Sequence, residues 1–165
     1  MALIIEDGTA KVDAQSYATV LELQAYAALR GRTVPAAEAA CEALLVKACD
    51  SLESQDFIGD RLTATQALAW PRMNAEVEGW PIATTEIPRQ LVQAQCALAI
   101  EAQTVNLLPV RDINDSGPAS SKSVAGAVSI AYTNDGRTRN VPAVASAKAL
   151  LRLLLRNSGL TLVRA

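Results

Sequence analysis

Histidine is absent from this 165-residue sequence, and aromatic residues make up only 4% of it. Without histidine the usual proton shuttle near neutral pH is missing, as is the commonest metal ligand, and Ser-His-Asp or Cys-His catalysis is excluded. The three cysteines, Cys41, Cys49 and Cys96, are an odd number, and residues 1–7 carry neither a basic flank nor a long apolar stretch. Both features argue against a disulfide framework and a signal peptide, so the cysteines are expected to be buried as small hydrophobes. No apolar run approaches the roughly 18 residues that a membrane span needs, and a soluble chain is expected. Neither Gly8 nor Gly59 has the glycine spacing or the Lys-Ser/Thr of a phosphate cradle. Asp56 with Asp60, and Glu76 with Glu78, lie in polar loops where solvated carboxylates are the ordinary state. No enzyme activity, metal or cofactor is expected.

What is present is a chain of one domain's length, 50% hydrophobic and 19% charged, which excludes disorder as its general state. Its apolar share is Ala, Leu and Val, a composition that favours helices over an aromatic-rich sandwich. The net charge of −2 hides an asymmetry. Residues 1–109 carry 14 acids against 7 bases, whereas residues 110–165 carry 3 acids against 8 bases. Two readings of the basic end are open: a surface that docks on an acidic partner, its own copy included, or a solvated helix face.

Along the chain, residues 1–15 read as extended with a turn at Asp7-Gly8. Ser16 reads as the N-cap of a first helix that ends near Gly31 at C′. A second helix starts near Pro35 and runs over 36–54, with Leu44, Leu45, Ala48 and Leu52 on one stripe. A loop holding Phe57 follows, then one or two helical turns over 63–69 stopped by Pro71, then a loop over 74–81. The third helix opens at Pro88 and carries Leu91, Val92, Gln95, Leu98, Ala99, Ala102 and Val105 over about 19 residues, close to 30 Å.

After Pro109 the character changes. Residues 110–123, with Ser116-Gly117-Pro118-Ala119 among them, read as a linker that could span up to roughly 46 Å. Val124, Gly126, Val128, Ile130 and Tyr132 then alternate with small residues at a strand period, and Asn134-Asp135-Gly136 marks a turn before a return over 137–141. Pro142 opens a last helix over 143–156. The fold class expected is therefore mainly α: a small helical bundle with a long linker, a short β strand or hairpin arm, and a C-terminal basic helix. Residues 1–108 form the core, 109–123 the linker, and 124–165 the arm and helix used for docking. A lone hairpin is marginal in water and needs partners for its backbone groups. They can come from another chain, by strand addition or pairing around a ring, or from the chain's own helices if the hairpin lies on them.

A set of motifs then falls in order: Ser16-Tyr17 opening a helix, Ala48-Cys49-Asp50-Ser51-Leu52, Phe57-Ile58-Gly59-Asp60-Arg61, Gln66-Ala67-Leu68-Ala69-Trp70-Pro71-Arg72, Ile87-Pro88, and the 124–132 strand. Over residues 16–132 this order resembles a tailed-phage family described as DnaT-like single-stranded-DNA-binding proteins, whose members look like head-completion adaptors, or head-tail connectors. Ala125 stands where the family pattern has a longer polar residue, and Trp80-Pro81 lies outside the pattern. The resemblance implies a virion protein of the neck, made in the host cytoplasm. It implies a homo-oligomeric ring, dodecameric in the usual case, that binds the portal, extends the DNA channel and docks the next neck or tail protein. Genomic DNA is then only cargo, and no membrane is involved.

On that reading the arm is Val124, Gly126, Val128, Ile130 and Tyr132, and the docking charges are Arg137, Arg139, Arg152 and Arg156. Phe57, Gly59, Arg61, Trp70, Pro71 and Arg72 are fold determinants: Trp70 is expected in the core with Phe57 closing one end, and Arg72 is expected to reach a carboxylate or a helix C-terminus. The alternative is a single-stranded-DNA-binding protein in which Trp70 or Trp80 stacks on bases. Against it, the six aromatics are scattered, and Phe57, Trp70 and Trp80 lie in the acidic part of the chain.

Overall fold

The computed structural model describes residues 3–108 and 145–156. The linker, the arm strand and Arg137 and Arg139 lie outside the described residues. Among the described residues four helices carry the fold: α1 (Val20–Ala28), α2 (Glu38–Glu53), α3 (Arg89–Glu101) and α4 (Ala145–Leu151). Between α2 and α3 stand two antiparallel pairs of two-residue strands, β1 (Asp60–Arg61) with β2 (Arg72–Met73) and β3 (Glu76–Val77) with β4 (Trp80–Pro81). The chain is mainly α, as its composition predicts.

α3 is the central element. It packs against α1, α2 and α4, and Leu91, Ala94, Gln95, Leu98 and Ala99 on it are all buried. α2 presents Cys41, Leu44, Leu45, Ala48, Cys49 and Leu52 inward at helical spacing, and all three cysteines are buried free thiols. A methylene taken out of water contributes about 0.8 kcal/mol, so these stripes, more than helix propensity, hold the bundle.

Several boundaries differ from the sequence reading, each for a local reason. α1 begins four residues after Ser16. Thr19 is its N-cap: the Thr19 side chain accepts from the Glu22 N–H while the Glu22 side chain accepts from the Thr19 N–H, a capping box. Ser16 is instead fully buried, its hydroxyl bonded to the Ala18 backbone. At the other end the Gly31 N–H reaches Ala28 O and the Arg32 N–H reaches Ala27 O, the Schellman pattern that places Gly31 at C′.

No helix forms over 63–69. The Gln66 side chain accepts from the Thr63 N–H and donates to Leu68 O and Pro71 O, so it supplies the bonds that a helix would have drawn from the backbone. α3 has 13 residues and spans about 20 Å rather than 30 Å. Past Glu101 the side chains of Gln103 and Thr104 donate to the Ile100 and Glu101 carbonyls and close the helix end.

The largest difference concerns α4. The sequence reading grouped it with the docking arm, yet Ala147, Leu151 and Leu154 are buried in the same core as α1–α3. An antiparallel bridge joins Leu155 to Phe57, with Ile58 N–H donating to Leu154 O and Arg156 N–H to Asp56 O. A division of the chain at residue 108 therefore does not separate α4 from the core.

At the N-terminus, a parallel bridge between Ile5 and Ser16 closes a loop around Glu6. The Glu6 carboxylate is buried and accepts from the N–H groups of Gly8, Ala10 and Lys11, which pins the loop from within.

Candidate functional site

The 57–72 segment holds the motif that the sequence singles out, and the Phe57–Trp70 pair is buried within it, while Arg61 is exposed. Phe57 and Trp70 meet edge to face with ring centroids 6.2 Å apart. Trp70 is 0% exposed and Phe57 2%, so they close one end of the core as expected. The Trp70–Pro71 peptide bond is cis. The Trp70 backbone N–H donates to the Tyr17 hydroxyl, which in turn donates to Glu53 Oε1 at 2.6 Å. Burial, with Glu53 beside it, pushes the Tyr17 phenol well above its ordinary range.

Arg72 does not reach a carboxylate. Its Nε donates to Ile58 O at 2.6 Å, one terminal nitrogen to Ala69 O at 3.2 Å, and the other to Gly59 O at 2.7 Å and Phe57 O at 3.3 Å. The fork of a guanidinium matches carbonyls that a turning loop aims at one point, and this clasp ties the Phe57 loop to the Trp70 turn. Desolvation, reinforced by the nearby Arg156, lowers the Arg72 pKa. Gly59 sits at φ +71, and a Cβ there would lie 2.5 Å from Met73 O, so the loop closes this tightly only with glycine. Arg61 pairs loosely with Glu53 at 3.8 Å. The motif is thus a structural clasp, its aromatic faces covered.

Of the docking charges, Arg152 is exposed on the turn after α4. Arg156 is exposed too, with one guanidinium nitrogen 3.3 Å from Gly59 O. Sequence reasoning missed the β3–β4 hairpin. Glu78 and Gly79 both take positive φ, the two-residue turn that suits the twist of a hairpin, and Trp80 stands out from it 77% exposed. The Glu78-Gly79 pair was the available signal. A cavity of about 480 Å³ is lined by Lys47, Asp50 and residues 102–108. Among the described residues no group of three or more Cys, Asp or Glu is placed to hold a metal ion, and no helix is long and apolar enough to cross a membrane.

A family model described as "Putative DnaT-like ssDNA binding protein" matches residues 1–165. The chain belongs to this DnaT-like family. No curated protein and no solved structure matches it. The match carries the DnaT-like part of the sequence resemblance and does not speak of head-tail connectors. For this DnaT-like chain the geometry sets strict terms on DNA contact. Single-strand binding without sequence preference combines a cationic groove with aromatic faces. Here Phe57, Trp70 and Tyr17 are buried, and the Tyr26 ring lies under the Arg30 guanidinium at 3.5 Å. Only Trp80 among the described aromatics offers an open face, and Glu76 and Glu78 are its exposed neighbours.

Proposed function

We propose that this DnaT-like protein is a structural subunit of a tailed-phage virion: a head-completion or head-tail connector adaptor that forms a ring on the portal and docks the next neck or tail protein. The observation that carries the reading is where the aromatic and charged side chains lie. The motif aromatics are spent on the core, and residues 3–108 carry twice as many acids as bases. Lys148, Arg152 and Arg156 are exposed at four-residue intervals on the α4 side. The exposed aromatic, Trp80, stands on the acidic hairpin and not on that basic edge, whereas single-strand binding joins cations and aromatic faces in one groove. The motif order over 16–132 and the strand-period segment 124–132 support the same reading.

The test is to mix the full chain with the portal of the same phage and weigh the products by mass photometry. Ring-sized additions to the portal support the adaptor; free portal beside free subunit overturns it. A second reading, single-stranded-DNA binding, is favoured by the family description and by the open face of Trp80. It predicts tight oligonucleotide binding that Trp80→Ala weakens, since stacking contributes about 1–3 kcal/mol per base.

A further inference from the structure

Two exposed patches of opposite sign lie on this chain, one on the hairpin and one at the end of α4. The first is the tip of the β3–β4 hairpin. Trp80 projects there from the position paired with Val77, Glu78 is exposed in the turn, and the exposed Glu76, paired with Pro81, places a carboxylate oxygen 3.9 Å from where a Cβ on Gly79 would sit. The second is the outer edge of α4 and the turn after it. Lys148 and Arg152 are exposed four residues apart, with Leu153, 41% exposed, next to Arg152 in the chain. Among the described residues no carboxylate lies within ion-pair distance of Lys148, Arg152 or Arg156. Among the described residues α4 makes no contact with either strand of the hairpin, and no ion pair joins Glu76 or Glu78 to Lys148, Arg152 or Arg156, so a single copy does not pair these charges.

Each patch supplies what the other needs. An indole face attracts a guanidinium or ammonium, most strongly when the pair is desolvated, and tryptophan and arginine are the side chains on which interfaces most often turn. The two exposed acids of the hairpin match the exposed cations at the end of α4 in sign, and such complementarity sets register and excludes wrong partners. The same acids would repel a phosphate backbone from Trp80. We infer that the Trp80 hairpin of one copy docks on the Lys148–Arg152–Leu153 edge of the next copy. The two surfaces differ, so the contact is head to tail, and its repetition closes a ring or runs on as a filament. This rests on the structural-subunit reading and names the surfaces through which subunits join.

Glu78→Cys and Arg152→Cys full-length proteins, prepared separately and mixed under mild oxidation, test the contact. The native cysteines are buried and do not compete. The expected result is a disulfide-linked dimer in the mixture and in neither protein alone. As a second measurement, Glu78→Arg and Arg152→Glu should each weaken self-association about tenfold or more in sedimentation, and the double variant should restore it.

No cross-link in the mixture, equal cross-linking in the separate proteins, or no rescue by the double variant overturns the inference. If Arg152→Glu instead abolishes oligonucleotide binding and no cross-link forms, the edge is a nucleic-acid contact and the inference falls. A chain that cross-links here yet ignores the portal keeps this contact and sinks the connector reading. A portal-bound chain that fails to cross-link does the reverse.

Discussion

Replacing Gln95 with methionine should cost the fold about 3–5 kcal/mol, although the two side chains have similar volume. Gln95 is 0% exposed in the middle of α3. Its Oε1 accepts from the N–H groups of Tyr17 and Ala18 at 2.9 and 3.0 Å, and its Nε2 donates to Ser16 Oγ and Leu45 O at 2.8 and 3.0 Å. One amide thus joins the chain before α1 to α2 and α3. In the variant, Ala18 N–H keeps its bond to Ser16 Oγ, and Leu45 O keeps its place in the α2 ladder. Tyr17 N–H has no such second acceptor. An orphaned buried donor costs about 1–3 kcal/mol, and the other three lost bonds add about 1 kcal/mol each, partly offset by the apolar gain of methionine.

For a domain of this size about 4 kcal/mol lowers Tm by roughly 8–16 °C. The control is Gln93→Met, on the same helix, half-buried and without a hydrogen bond that depends on its amide. It should change stability by no more than about 0.5 kcal/mol. Calorimetry or circular dichroism melts decide. A Gln95→Met protein that melts within 2 °C of the Gln93→Met control, with 2 °C meaning about 1 kcal/mol at most, would refute the reasoning.

Other consequences can be checked in the same assays. Arg72→Lys should destabilise the protein by about 2–4 kcal/mol, nearly as much as Arg72→Met, because an ammonium cannot reach four converging carbonyls in a plane. Leu154→Ala should cost about 2–5 kcal/mol, whereas a detached docking helix would tolerate the change with no shift in Tm. Stability should also fall on the alkaline side. Burial raises the Cys96 thiol from 9.0 to about 12 and pushes Cys49 up as well. Above pH 9 the unfolded chain therefore releases protons that the native state retains, and urea midpoints should decline from pH 9 towards pH 12, with Cys96→Ala flattening part of the slope. The Asp7 carboxyl, held down to about 2 by hydrogen bonds from Thr9 and then Lys11, has the opposite sense. What it contributes is present above pH 4 and lost between pH 4 and pH 2, and Asp7→Asn should remove that part of the acid titration.

Much of this architecture was legible because apolar periodicity survives any tertiary detail. The α2 and α3 stripes, the burial of three cysteines, and the place of Trp70 beside Phe57 follow from residue type and spacing alone. What escaped depends on where side chains find polar partners. Gln95 was visible as a member of the α3 stripe, but nothing local says that an amide there meets the Tyr17 and Ala18 backbone. Arg72 was expected to seek a negative charge. Its carbonyl partners exist only once the 57–59 loop has folded against it.

Thr19-Val20-Leu21-Glu22 carried a capping-box signature that outweighs Ser16, and the hairpin strands are too short to show alternation. The burial of α4 was half legible, since Leu151 and Leu154 mark an inward stripe without saying which surface receives it.

The central claim is that this surface meets proteins and not nucleic acid strands. Fluorescence anisotropy of a labelled oligo-dT with the full chain, across a salt series, addresses it directly. The account predicts only weak, unsaturated binding near physiological salt, in the range of about 10⁻⁴ M that non-specific contacts give. Saturable binding below about 10⁻⁶ M, falling steeply with added salt and lost in Trp80→Ala, would contradict it.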